Sequence, residues 1–97
     1  MYNMCMRFEW DEVKNRANVR KHKIDFADVP AMFDGPMCVA PDIRHDYGED
    51  RMVGIGILHG AAVVAVFIEH EENTTRIISA RKATRHEREE FTKAIGY

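Results

Sequence analysis

With 97 residues, the chain has room for one sheet, two or three helices and a single core, and none for a second domain with a core of its own. A content of 45% hydrophobic against 31% charged residues excludes a disordered polypeptide, and the longest apolar run, residues 61–68, falls far short of a membrane span. The formal net charge of -2 conceals a division: residues 1–24 and 73–97 each carry six Lys or Arg against three Asp or Glu, whereas residues 25–72 carry two against ten.

Taken from the start, Met1-Tyr2-Asn3-Met4-Cys5-Met6 has neither a basic leader nor an extended apolar stretch, so a cytoplasmic protein without a signal peptide or membrane anchor is expected, with residues 1–5 frayed or added to the first strand. Cys5 and Cys38 stand alone, with no spacing suited to a disulfide framework or a zinc site. Residues 6–10 alternate and include two aromatics, which predicts a short strand. Asp11 then offers an N-cap, and Glu12 at one end with Lys21-His22 at the other match the helix dipole, which predicts a helix over 12–22. Its thin apolar stripe would be Val13 and Ala17, while Lys14, Asn18, Lys21 and His22 share a polar face.

A second short helix is expected over 25–33, capped by Asp25, with Phe26, Val29 and Phe33 inward and a kink or restart at Pro30. Asp34-Gly35-Pro36 is a turn, after which the period changes to two: strands over 37–40, 52–58 and 61–69, with a polar loop over 41–50 and a hairpin at His59-Gly60. Gly54 and Gly56 fall on one face and let something approach the sheet closely; the missing third glycine and the absence of a following helix argue against a nucleotide fingerprint. Asn73-Thr74-Thr75 reads as a polar turn, residues 75–80 as the last strand, and Thr84 with Glu87 as a capping box opening a helix anchored by Phe91 and Ile95, with Glu89 and Lys93 as an i,i+4 pair. The order β-α-α-β-β-β-β-α predicts one α+β domain, 1–97, with an antiparallel sheet and its helices packed on one face.

In this order and spacing, Phe8-Glu9-Trp10-Asp11-Glu12 followed by Lys14, Asn18 and Lys21-His22, then Asp25-Phe26 and Phe33-Asp34, then Glu49 and Arg51 before Gly54-Ile55-Gly56, resemble the BrnT-type toxins. The run Arg76-Ile77-Ile78-Ser79-Ala80-Arg81-Lys82-Ala83 with Glu87 completes a resemblance that covers residues 8–91. It implies a RelE-like microbial ribonuclease fold and ribosome-independent cleavage of RNA. It also implies neutralisation by a BrnA-type antitoxin that binds operator DNA through a ribbon-helix-helix module; a heterotetramer of two toxins held by an antitoxin dimer is expected. The alternative is an inactive toxin that serves as an antitoxin-binding co-repressor. The acidic middle suggests a local RNA site, with the rest of the surface serving a basic antitoxin.

RNA carries its own nucleophile, the 2′-hydroxyl, so its cleavage needs a base, an acid and cations for the charge gathering on phosphorus, but no metal or other cofactor. A guanidinium fork matches two phosphate oxygens, which makes Arg51, Arg76 and Arg81 the candidate clamp, and His22 and Glu49 the candidates for proton transfer. Lys14, Asn18, Lys21, Lys82 and Arg85 are expected to contact RNA, and Arg81 to be largely solvated just ahead of the Thr84 cap. Each has a structural alternative. His22 would complement the helix dipole, Glu49-Asp50-Arg51 would form a hairpin salt bridge, and Arg76, on the side of Ile78 and Ala80, would pair with Glu69 or Glu72. The scattered histidines predict no metal site.

Overall fold

Five strands form one sheet in the order β1-β5-β4-β3-β2, where β1 is Arg7–Trp10, β2 Met37–Pro41, β3 Met52–Leu58, β4 Ala61–His70 and β5 Thr74–Lys82. The computed structural model describes residues 6–43, 48, 50–70 and 73–96. The α+β class is as expected, but the sheet is mixed: β2 to β5 run antiparallel in turn, whereas β1 pairs parallel to β5, Arg7 opposite Thr74 and Trp10 opposite Ile77. No hairpin links β1 to β5, so chain adjacency does not fix their relative direction. His59 and Gly60 both take positive φ, 50° and 79°, which suits a tight turn between β3 and β4.

Helix α1 (Glu12–His22) begins where predicted, the Asp11 carboxylate accepting from the Val13 and Lys14 amides. Its orientation is the reverse of the expected one. Val13 is 65% exposed, and the residues turned inward are Asn15 and Asn18. The reason lies in what α1 covers. β1 stops pairing at Ile77, which leaves the β5 edge at Ala80 without a strand neighbour. There Asn18 donates to the Ala80 carbonyl at 2.9 Å and accepts from the Ala80 amide at 3.3 Å, and it also donates to the Ile24 carbonyl at 2.9 Å. Asn15 accepts from the Phe26 amide and donates to Asp25, fixing the segment that follows α1. A buried backbone edge needs partners more than it needs apolar cover.

That segment is a 3-10 helix, Phe26–Asp34, which runs unbroken through Pro30; the predicted α-helix with a kink is corrected. Phe26, Val29 and Met32 are each 0% exposed, a spacing of three that lines up one row on a 3-10 helix and would spiral away on an α-helix. Phe33, expected inward, is half-buried and stacks edge-on between Phe8 and Phe67. The row packs on one sheet face with Leu58, Val63, Ala65, Phe67, Ile77 and Ala80. Close approach at the β3 glycines is real: a Cβ on Gly56 would lie 2.8 Å from Met37 Cγ and 3.3 Å from Met32 Cε.

Helix α2 (Arg85–Ile95) opens with the expected capping box, Thr84 accepting from the Glu87 amide and Glu87 from the Thr84 amide. It contacts β2 and β3, and its Glu87 borders the face of the sheet opposite the 3-10 helix, beside Val53, Val64 and Val66. The helices are therefore not all on one face. Glu89 pairs with Arg85 and Lys93 with Glu90, in place of the predicted Glu89–Lys93 pair. Among the described residues, no helix is long and apolar enough to cross a membrane.

Asn18→Leu, which keeps the bulk and removes both hydrogen-bonding groups, is expected to cost about 2–4 kcal/mol, because it strands polar groups of Ala80 and Ile24. Val13→Ala should change stability by no more than about 0.5 kcal/mol. Chemical denaturation of the two variants checks the contrast.

Candidate active site

Strand register brings three of the predicted arginines to the sheet face opposite the 3-10 helix. Arg76 stands opposite Ile68 on β4 and Glu9 on β1. One further step of the β3–β4 register sets Arg51 on the other side of Ile68, and the Asp42 amide donates to the Arg51 carbonyl at 2.7 Å. Ala40, Val53, Val66 and Ser79 form the next row, and Cys38, Ile55, Val64 and Arg81 the row after that. Arg51 and Arg76 thus lie at one end of this face and Arg81 at the other, about 13 Å away along the strands.

A β-bulge is what makes this possible. Phe67 pairs with Ile77 and Val66 with Ser79, so Ile78 is an extra residue in β5. Positions 76 and 81 differ by an odd number and would face opposite sides in a regular strand; the extra residue restores them to one side. For the same reason Arg76 does not share a side with Ala80, as expected from alternation, since Ala80 stands opposite Ala65 in the core.

Arg81 is a member of β5 and not a solvated side chain ahead of the cap, which corrects the expectation. Its Nη1 and Nη2 donate to Glu87 Oε1 at 2.7 Å and Oε2 at 2.8 Å. Glu87 Oε1 also accepts from the Thr84 amide at 2.8 Å, so one carboxylate closes the helix cap and orients the guanidinium. The Arg81 guanidinium, aided by the Thr84 amide and opposed by partial burial, holds the Glu87 carboxyl down from 4.5 to about 2. Glu87 is therefore an anion near neutrality, a positioning group and not a proton donor. The two line one wall of a cleft of ≈ 420 Å³ with Asp42, Val53, Val66 and Ser79.

Arg76 pairs with Glu9 at 3.3 Å, not with Glu69; Glu72 lies outside the described residues. Glu49 also lies outside them, so its proposed part and the salt bridge drawn for residues 49–51 go undescribed. His22 is half-buried and continues the Asn15–Asn18 stripe one turn on, towards the end of β5, where Lys23 and Ile24 share a cleft with Lys82. The described residues show no hydrogen bond or ion pair joining it to Arg51, Arg76 or Arg81. Lys14 and Lys21 are exposed on α1, and Arg85 is exposed and paired with Glu89 at 3.3 Å. Asn18 cannot reach RNA without leaving Ala80, and is corrected to a structural residue. Sequence reasoning missed Glu9, Ser79 and the second role of Glu87. The capping box gave a signal for Glu87, whereas Glu9 and Ser79 depend on the β1 pairing and the bulge.

Two comparisons with known proteins bear on this arrangement. Residues 10–87 match the family described as ribonuclease toxin, BrnT, of type II toxin-antitoxin systems. The crystal structure of the Brucella abortus ribonuclease toxin BrnT is 30% identical, with a TM-score of 0.69, over 82% of this chain and 99% of that one. No curated protein sequence matches significantly.

Because the folded Glu87 carboxyl titrates below its ordinary range, the stability that its ionised form contributes is complete above pH 4.5 and disappears as pH falls through about 2. Wild type should therefore exceed Glu87→Gln in stability at pH 6, and the gap should close between those two values. Acid titrations of both proteins followed by circular dichroism check this.

Proposed function

Because the chain belongs to the BrnT family of ribonuclease toxins of type II toxin–antitoxin systems, we propose that it is a ribosome-independent, metal-independent endoribonuclease acting at the Arg81 cleft. What carries the reading is Arg81 held in a two-pronged grip by Glu87, on the same face as Arg51 and Arg76. In the proposed reaction the 2′-hydroxyl attacks the adjacent phosphorus, the 5′-oxygen leaves, and a 2′,3′-cyclic phosphate forms. Arg81 stabilises the charge gathering on the phosphoryl oxygens. Its orientation is fixed beforehand, so little reorganisation accompanies the charge change. Arg51 and Arg76 bind neighbouring phosphates across the Val53–Val66–Ser79 row, and Lys82 and Lys21 add to the attraction. His22 and Glu49 form the proton-transfer pair of this reading, since Glu87 is committed to its anionic form.

The partner in this reading is a BrnA-type ribbon-helix-helix antitoxin, which links the toxin to operator DNA and assembles as two toxins on an antitoxin dimer. The excess of ten acidic over two basic residues between 25 and 72 supports a basic toxin-binding segment. A light-scattering mass for the purified pair equal to one copy of each chain would remove the heterotetramer.

The purified protein is expected to cleave single-stranded RNA in EDTA and to leave DNA of the same sequence intact, because DNA lacks the 2′-hydroxyl. Arg81→Ala should slow single-turnover cleavage about a hundredfold to a thousandfold, the scale of about 2.7–4 kcal/mol for one preorganised donor, and Arg81→Lys should recover only part. Loss of cleavage in EDTA with rescue by magnesium, or a folded Arg81→Ala protein that cleaves at the parental rate, would overturn the mechanism.

A further inference from the structure

The C-terminal end of β5 presents cations on both faces of the sheet. Arg81 faces the cleft described above, and Lys82, paired with Val63, faces the other side. There Lys82 lines a second cleft of ≈ 230 Å³ with Lys23, His59 and Asp28, floored by Leu58 and Val63. Lys23 reaches it from the left-handed residue that ends α1, φ 61°, its Nζ donating to the Arg20 carbonyl at 3.1 Å. His59 reaches it from the β3–β4 turn, φ 50°. Two lysines and a histidine from three separate elements thus share one cleft with a single carboxylate, Asp28.

A second, independent feature leads away from this cleft. Lys14 and Lys21 share one side of α1 and Arg16 and Arg20 another, all four exposed, and the helix's one acidic residue, Glu12, sits at the far end, where it accepts from Trp10 Nε1 and Asn15. None of these four cations pairs with a described carboxylate. On α2, by contrast, Arg85 and Lys93 are paired with Glu89 and Glu90. A helix whose exposed cations pair with no described carboxylate, and which ends at a cleft holding two further lysines, has the electrostatic pattern of a nucleic-acid backbone track.

We infer that the Lys23–His59–Lys82 cleft is a second phosphate-binding subsite, which holds the backbone of the RNA strand whose scissile phosphate lies at Arg81. The inference rests on the nuclease reading for the position of the scissile phosphate. The strand passes round the end of the sheet, from the Arg81 face to the Lys82 face, and then along α1. Neighbouring residues of one strand point to opposite faces, so Arg81 and Lys82 bind phosphates on either side of the same turn of RNA. The cleft contributes affinity and register, and no reacting group.

The test is binding of a 12-nucleotide RNA made uncleavable by 2′-deoxy substitution, measured by fluorescence anisotropy across a salt series. Lys23→Asn keeps a residue that tolerates the left-handed conformation, and Lys82→Gln keeps the length of the side chain. The double variant is expected to bind about tenfold more weakly. Its dependence of log K on log salt should be shallower by about 1.4, the value for two lost phosphate contacts on a single strand. Lys93→Gln, a cation lost from α2, should change neither quantity. Unchanged affinity and slope in the double variant, or an equal loss in Lys93→Gln, would overturn the subsite. Cleavage of unmodified RNA by the wild type is read separately. A protein that binds through the cleft without cutting sinks the nuclease reading and leaves the subsite standing, whereas one that cuts with the double variant's affinity unaltered does the reverse.

Discussion

The amide of Asn18 joins the first part of this chain to the last. β1 gives β5 only four residues of parallel pairing, and the β5 edge at Ala80 would otherwise face the body of α1 with its amide and carbonyl unmet. A primary amide side chain offers one acceptor and donors in a plane, the same set as a peptide group, and Asn18 uses both on Ala80 as a neighbouring strand would. Its remaining donor bond, to Ile24, holds the chain as it leaves α1 and so sets where the 3-10 helix enters the core. The end of β5 is thus held on both edges, by Asn18 on one and by β4, through Arg81 and Lys82, on the other. A helix that must cover backbone turns its polar residues inward, which is why α1 leaves its valines outside.

The Arg81–Glu87 pair binds the site to the fold in a different way. Glu87 is the N3 residue of the α2 cap and also the acceptor of both guanidinium nitrogens, so the start of α2 and the orientation of Arg81 form a single unit. Arg81 is about a third exposed, and solvent screening keeps the pair's contribution to stability modest. Its value lies in geometry. An arginine whose fork is held by a carboxylate keeps one orientation and does not search among rotamers. The anion of the pair, Glu87, is thus the group that aims its cation.

The sequence announced most of the element list and little of its handedness. Strands β3 and β4, helix α1 with its Asp11 cap, and the α2 capping box were legible because each is signalled by residues close together in the chain. The failures come from tertiary demands. Val13 and Ala17 carried the local apolar signal on α1, and the open edge at Ala80 outweighed it. The spacing of Phe26, Val29 and Met32 was legible as a period of three, yet inward Phe33 suited an α-helix and concealed it. The parallel pairing of β1 had no local signal, because its partner lies more than sixty residues away. For the site, the three arginines were legible as guanidinium chemistry. Asn18 was misread because an asparagine among lysines on a helix looks solvated until its backbone partner is known.

The bulge at Ile78 converts a run of residues into a site. In an unbroken strand, fixing Ile77 in the core would send Arg76 to the far face and, by alternation, Arg81 to the core side with Ile77, against the 3-10 helix. A buried guanidinium there would be costly, and the strand would have to shift or unpair. The extra residue lets Ile77 and Ala80 both face the core, and Arg76 and Arg81 both face away from it, so apolar and cationic demands are met by one strand. It also settles where the basic ends of the chain meet. β1 and α1 flank β5 on its outer edge, β5 runs directly into α2, and the acidic middle supplies the strands on the other side. At the end of β5 the bulge decides that Arg81 faces the cleft with Glu87 and Lys82 the cleft with Lys23, each beside a carboxylate of the middle segment, Asp42 and Asp28.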